Sequence, residues 1–365
     1  MKLALFTPTQ YDKMETFVKA HSNYLSNQTY LFNQGFFPEK LFYKTLIDTS
    51  IKSRLLNKII SNITNFNYPE FKLQKVLKKL GIEVALAEFG PTGVAIQAAC
   101  KMANVPLVVH FHGADISKKD LLTKYLKSYK TLFDTSDAIV AVSHKMKNDL
   151  IAYGAPANKI TVNPCGVDID LFGPRQVDKE FDFIFVGRFV DKKAPIYLLS
   201  SFKKYLTYNP SARLCMVGSG PLYDSAQHFI RAWNMGSNVI LKDNLAHEEV
   251  SSLMQKSKIY IQHSVTASDG DTEGTPVSIL EAMASCLPVI STKHAGINDV
   301  ITNGKHGFLV DEGDTEAMAA KMNKLFTSSS NIESMGQSAR KNVIENYSME
   351  KSIDRLRSVL ESAII

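Results

Sequence analysis

Two α/β domains, each a doubly wound parallel sheet with helices on both faces, are predicted by three features of this 365-residue chain. Short apolar runs alternate with longer segments of helical periodicity along its length, the pattern of strand–helix–strand units. A turn-rich stretch from Pro164-Cys165-Gly166 to Pro174 interrupts the alternation before a fresh strand opens at Asp182. The length also exceeds what one ordinary core fills, at roughly 150 residues per domain. The expected division is a first domain over 1–172, a second over 173–345, and a terminal helix over 346–365 that packs back on the first. Ligands of such folds bind beyond the carboxyl ends of the strands, so the two domains are expected to face a central cleft.

In chain order, the first-half strand candidates are Leu3–Phe6, Glu83–Ala87, Leu107–Phe111, Ala138–Val142 and Ile160–Asn163. Those of the second half are Asp182–Val186, Leu214–Val217, Asn238–Leu241, Lys258–Gln262, Leu287–Ser291 and Gly307–Val310. Between them lie helical patterns such as Val94–Met102 and Ala194–Tyr205. Residues 22–70 scatter Tyr and Phe among Asn and Lys and are read as a helical region without assigned strands.

With 45% hydrophobic and 21% charged residues, the chain has the composition of a soluble globular protein rather than a disordered one. The apolar start, Met1 to Phe6, stops at Thr7-Pro8-Thr9-Gln10, well short of a secretory signal. No segment approaches the ~18–20 apolar residues of a membrane span, so a cytoplasmic location is expected. Cys100, Cys165, Cys215 and Cys286 have no metal-type spacing and read as buried, reduced thiols.

The net charge of +6 is uneven: residues 1–172 hold 21 Lys+Arg against 14 Asp+Glu, the remainder 21 against 22. Lys72, Lys75, Lys78 and Lys79 form one basic cluster; Lys118, Lys119, Lys124, Lys127 and Lys130 form another. Beside the second, Leu121, Leu122, Tyr125, Leu126, Tyr129 and Leu132 recur at helical spacing. Two readings stand: a solvated helix face, or peripheral attachment to an anionic membrane at about 1 kcal/mol per well-placed Lys. Nucleic acid is not expected as a partner, since Arg54 is the one Arg of this half and phosphate recognition favours Arg forks.

The segment Thr272-Glu273-Gly274-Thr275-Pro276-Val277-Ser278-Ile279-Leu280-Glu281 carries the densest chemistry. Thr275 is suited to cap a helix and Pro276 to its first position. The N–H groups of Val277 and Ser278 then point out of a positive helix end, a site for phosphate oxygens. Glu273 precedes the helix and Glu281 lies about one and a half turns inside it, so the two carboxylates form a clamp for a nucleotide-linked sugar. Upstream, Phe185-Val186-Gly187-Arg188 ends a strand, with Lys192 and Lys193 following. A glycine there allows close backbone approach, and fixed cations at a sheet's carboxyl edge suit a diphosphate. Asp269-Gly270-Asp271 reads as polar loop residues rather than a metal site, and Gly218-Ser219-Gly220-Pro221 lacks the third glycine of a dinucleotide fingerprint.

These motifs, with Val142-Ser143, Gly166-Val167-Asp168, Pro288-Val289-Ile290-Ser291-Thr292, Gly307-Phe308-Leu309-Val310 and His110-Phe111-His112-Gly113-Ala114-Asp115, resemble the retaining glycosyltransferases of family 4. The likeness in order and spacing runs from about 105 to 315. It implies the GT-B fold: an acceptor-binding Rossmann-like first domain and a nucleotide-sugar-binding second one. It also implies roles. Arg188 and Lys193 neutralise the leaving diphosphate; Gly187 and Gly274, Thr275, Pro276, Val277 and Ser278 contact the donor. Glu281 holds the ribose, Glu273 stabilises the reacting sugar, and His112 orients that sugar. His112 has the alternative of a structural histidine bonded to Asp115, and His110 is expected to point away into packing.

The first loop, Phe6-Thr7-Pro8-Thr9-Gln10, lacks the glycine pair of many members. With Glu15-Thr16-Phe17 and Phe89-Gly90-Pro91-Thr92-Gly93 it resembles the bacterial exopolysaccharide, capsule and O-antigen branch. The resemblance therefore implies a retaining, metal-independent hexosyltransferase, with a UDP-sugar the expected donor and no cofactor. A saccharide, lipid-linked at the inner membrane face, is the expected acceptor. The alternatives are an epimerase or hydrolase of nucleotide-sugars on the same fold, or a silent sugar-nucleotide-binding scaffold.

Overall fold

The computed structural model describes residues 1–46 and 68–364. The chain forms two compact units, Met1–Pro164 with Ser352–Ile365, and Cys165–Lys351. The first contains β1 (Lys2–Phe6), β2 (Gln28–Asn33), β3 (Lys40–Leu41), β4 (Lys44–Thr45), β5 (Val84–Glu88), β6 (Leu107–Phe111), β7 (Ala138–Ala141) and β8 (Ile160–Val162). They form one sheet in the order β4-β3-β2-β1-β5-β6-β7-β8, parallel from β2 to β8. β5 and β6 are buried along their whole length, as expected for strands covered on both faces. After β5 the helix Gly90–Ala103 starts four residues earlier than its apolar period implied. Gly90 is needed there, because a Cβ would meet the Phe111 ring at 2.3 Å and the Tyr129 hydroxyl at 2.8 Å.

One expectation fails in this unit. Residues 28–45, read as part of a helical region, form β2 and the antiparallel strands β3 and β4. β2 pairs in register with β1, Leu31 beside Leu5, and Phe32 stacks on Phe6 at 4.6 Å. Only the second half of β2 is buried, so its sequence shows no sustained alternation. The rest of the 22–70 reading falls largely on 47–67, outside the described residues.

The second unit contains β9 (Phe181–Val186), β10 (Leu214–Val217), β11 (Val239–Lys242), β12 (Ser257–Ile261), β13 (Val289–Thr292) and β14 (Gly307–Val310). All are parallel, in the order β11-β10-β9-β12-β13-β14. Strand alternation builds two cores: Phe183 and Phe185 face Leu198, Phe202 and Met318, while Ile184 faces Ile279, Leu280 and Met283. Strand order reverses between β9 and β12, which puts the expected ligand crevice at their carboxyl ends.

The unit boundary falls at Pro164/Cys165 rather than 172/173, because Val167 and Phe172 already belong to the second unit's core. The terminal helix is Met349–Ile364, and its residues from Ser352 belong to the first unit. There Asn163 Nδ2 donates to the Ser352 carbonyl at 3.1 Å and Arg357 Nη2 to the Tyr24 carbonyl at 2.7 Å. Cys100, Cys165 and Cys215 are buried, whereas Cys286 is partly exposed; all four are free thiols.

Candidate active site

At the β9 end, the loop 187–193 closes against the next strand's loop. Gly218, at φ 133°, leaves no room for a side chain: a Cβ would sit 2.1 Å from the Gly187 carbonyl oxygen. This close approach explains Gly218-Ser219-Gly220 without a dinucleotide. Arg188 is exposed, whereas Lys193 is drawn inward, its Nζ 3.0 Å from Glu273 Oε1 and 3.3 Å from Gln262 Oε1. Lys192 Nζ bonds Asp271 Oδ1 at 3.0 Å and the Thr272 carbonyl at 3.1 Å. Asp271 is therefore no free loop carboxylate; it is buried and paired.

Residues 262–276 run from the β12 end to the helix Val277–Ala284. The helix starts one residue later than read: Pro276 is its N-cap, and the Thr275 hydroxyl accepts from the Cys165 N–H at 3.2 Å instead of capping. Val277 and Ser278 still lead the first turn, where N–H groups have no intrahelical acceptor. Ser278 is also drawn into side-chain packing, since the Tyr260 hydroxyl lies within 3.0 Å of Ser278 Oγ, Gln262 Oε1 and the Val186 carbonyl.

Both glutamates are buried, so Glu281 is not an ordinary exposed helix residue. Their environments differ. Burial opposes ionisation of Glu273, but Lys193 and Lys192 outweigh it and hold its carboxyl below the usual range. Ser264 Oγ adds a bond to Glu273 Oε1 at 3.1 Å. Burial pushes Glu281 up to about 8, only partly countered by Lys193, and the nearest imidazole, His247, stands at 3.7 Å.

In the first unit, strand order reverses between β1 and β5, and Glu88 ends β5. Its carboxylate is fully buried, with His21 Nδ1 at 2.6 Å, His112 Nε2 at 2.6 Å and His110 Nδ1 at 3.5 Å. Burial raises Glu88, but His21 and His112 dominate and keep it ionised well below the ordinary carboxylate range. His112 also stacks on Phe17 at 4.3 Å. Asp115, the partner weighed for the His112 ring, instead accepts from the backbone N–H groups of Gly90, His112 and Gly113. His110 does not point away: residues two apart share a strand face, and the two imidazoles lie 4.1 Å apart.

His21, Glu88 and His110 are close enough to be considered as metal ligands. Bonds of about 2.0–2.1 Å to a tetrahedral metal would space its ligand atoms roughly 3.3 Å apart. Within that trio the His21–Glu88 contact, at 2.6 Å, is instead a hydrogen-bond separation, and His112, outside the trio, bonds the same carboxylate at 2.6 Å, so the cluster is a carboxylate shared by imidazoles. Sequence reasoning missed Glu88, His21 and Gln262, and set Asp271 aside as a polar loop residue. Glu88 carried a signal, as an acid on an otherwise apolar strand, and Asp271 one in the Asp269-Gly270-Asp271 run.

The basic clusters lie on helices. Lys75, Lys78 and Lys79 are exposed on Tyr68–Leu80, and Lys119, Lys124, Lys127 and Lys130 on Lys119–Thr135. The stripe beside the latter is buried at Tyr129 and Leu132 and only partly covered from Leu121 to Leu126. Among the described residues, no helix is long and apolar enough to cross a membrane.

Two Rossmann-like units, one with cations and carboxylates at its strand-order reversal, define the GT-B class of glycosyltransferases. The family model described as "Glycosyl transferases group 1" matches residues 168–342, and "Glycosyltransferase Family 4" matches 42–171. The chain is 29% identical over 286 residues to WcaL of Salmonella typhimurium, a glycosyltransferase assigned by name to colanic acid biosynthesis, covering 77% of this chain and 70% of that one. It is 23% identical to an Escherichia coli enzyme named UDP-Gal:alpha-D-GlcNAc-diphosphoundecaprenol alpha-1,3-galactosyltransferase, covering 87% and 86%. The fold of Anabaena HepE, solved in complex with UDP, superposes with a TM-score of 0.80 at 16% identity, covering 99% of this chain and 100% of that one. The chain belongs to glycosyltransferase family 4.

Proposed function

We propose that this glycosyltransferase moves a sugar from a UDP-sugar to a lipid-linked saccharide, retaining the anomeric configuration and using no metal ion, during assembly of a surface polysaccharide. The observation that carries the reading is the convergence of Lys193, Glu273, Glu281 and the helix 277–284 N-terminus at the β9/β12 strand ends. The diphosphate takes its positive charge from Arg188, Lys193 and the first-turn N–H groups, with Gly187 and the Gly274–Ser278 backbone close by. Lys193 exchanges Glu273 for the incoming diphosphate, which frees that carboxylate to face the sugar. Glu281 accepts from the ribose hydroxyls.

In the reaction, the bond from the anomeric carbon to the diphosphate oxygen breaks and the acceptor oxygen bonds on the same face. The acceptor's proton passes to the departing phosphate oxygen. Glu273 stabilises the positive charge that develops on the sugar between these events. The relatives' names support the polysaccharide setting, and the E. coli relative's name specifies UDP-Gal and a diphosphoundecaprenol-linked acceptor. The exposed lysines of the first unit suit an anionic membrane surface, where such an acceptor resides.

A thermal-shift screen against UDP-, GDP- and ADP-sugars tests the donor, because a ligand stabilises the fold by RT ln(1 + [L]/Kd). UDP-sugars should give the largest shift; no shift with any member of the panel would overturn the reading. Incubation with a UDP-sugar and a lipid-linked acceptor should then yield a product with the donor's anomeric configuration. Donor binding without transfer to any such acceptor would favour the silent scaffold.

A further inference from the structure

The loop that carries Glu273 is tied at Glu273 and at Thr266 to two side chains, His294 and Glu312. The Glu273 N–H donates to His294 Nε2 at 3.1 Å. His294 Nδ1 lies 2.5 Å from Glu312 Oε1, and Glu312 Oε2 accepts from the Thr266 N–H at 2.8 Å. A neutral imidazole has one donor and one acceptor nitrogen, so accepting at Nε2 puts the proton on Nδ1, where it is donated to Glu312. The two side chains therefore form a strap from Thr266 through Glu312 and His294 to Glu273. Its elements are rigid: His294 follows β13, is 1% exposed and is followed by the helix Ile297–Val300, while Glu312 follows β14. Between the strapped points the loop carries a turn closed by the Gly270 N–H on the Ala267 carbonyl and the Ala267 N–H on the Asp271 carbonyl, and Lys192 bonds Asp271 and the Thr272 carbonyl.

From this geometry we infer that His294, backed by Glu312, is a positioning residue for the transfer reaction. It holds the main chain of Glu273 so that the carboxylate meets the reacting sugar. The inference rests on the assignment of Glu273 to that sugar. It requires the acceptor nitrogen specifically: loss of the Nε2 position releases the Glu273 N–H, whereas the Glu312 contact alone does not hold it.

Two amide variants separate these demands. The side-chain oxygen of His294→Gln reaches the Nε2 position and keeps an acceptor for Glu273. The amide of His294→Asn matches the Nδ1 donor toward Glu312 but leaves the Glu273 N–H without a partner. His294→Gln should keep kcat within about threefold of the parent, while His294→Asn loses on the order of 10- to 100-fold in kcat with donor KM little changed, the effect of a misplaced catalytic group. Amide hydrogen exchange over 270–276, read without substrate, should quicken in His294→Asn and stay protected in His294→Gln. Equal kcat and equal exchange in the two variants would overturn the inference, as would parallel losses that follow thermal stability alone. If the parent protein binds and turns over no nucleotide-sugar, it is the functional reading that fails; the exchange contrast still decides whether His294 holds the loop.

Discussion

Each unit sets an acid at the carboxyl edge where its strand order reverses, and the two edges have opposite characters. In the first, Glu88 is sealed from water and shared among His21, His110 and His112, so its charge is answered within the fold. In the second, Glu273 is answered by Lys193 at 3.0 Å, and Glu281 is buried with Lys193 only partly countering the burial, its carboxyl pushed up to about 8. A satisfied carboxylate stabilises its surroundings, whereas one with a replaceable or missing partner is poised for a ligand. Under the proposed function, the contrast fits Glu88 to architecture and the second pair to donor chemistry.

The largest expected effect breaks the closed edge. Glu88→Ala removes one member of a buried charge network and should destabilise the protein by about 3–5 kcal/mol, read as a lower urea midpoint at unchanged slope. Next comes the open edge: Glu273→Gln should lower kcat by about 10²–10³, or roughly 2.7–4 kcal/mol, with donor affinity within a few fold by titration calorimetry. If Glu273→Gln lost affinity and Glu281→Gln lost turnover, the two roles would be reversed.

Glu281 sharpens the comparison through pH. Its folded-state pKa of about 8 lies above the ordinary 4.5, so from about pH 5 to 8 the folded chain retains a proton that the unfolded chain has lost. This carboxyl therefore withdraws stability as pH rises through that window, and fully above it. Glu281→Gln should raise the melting temperature of the free protein at pH 8.5, by a gain of roughly 2–4 kcal/mol. The gain should vanish toward pH 4.5, and donor binding should weaken about tenfold through the lost ribose contact. The smallest effect is a null one: turnover should be unchanged by EDTA, because the proposed site draws the diphosphate's counter-charge from side chains and helix N–H groups. Inactivation by EDTA with recovery on Mg²⁺ would overturn that.

The second unit was the more legible in sequence. Its site residues lie in two short runs, 185–193 and 272–281, each at a strand end followed by a helix, so local chemistry pointed to a ligand. Legibility fell wherever a side chain acts over a long sequence separation. His21 and Glu88 are 67 residues apart, and Lys192 and Asp271 are 79 apart. Neither partner carries a local mark of the other. Thr275 shows the same limit at close range, since its hydroxyl had two possible uses and packing beside Cys165 selected the one that is not a cap.

By itself the sequence determined the alternation of strands and helices, the parallel run of strands in each sheet, and the family-4 motifs. These depend on hydrophobic period, turn chemistry and short-range spacing, all of which are local. Tertiary structure alone decided the edge strands β2 to β4, the place where the chain changes units, and the partners of Glu88, Glu273 and Glu281. Those depend on which strand ends lie side by side, and the electrostatic fate of a carboxylate is set by whatever reaches it there before water does.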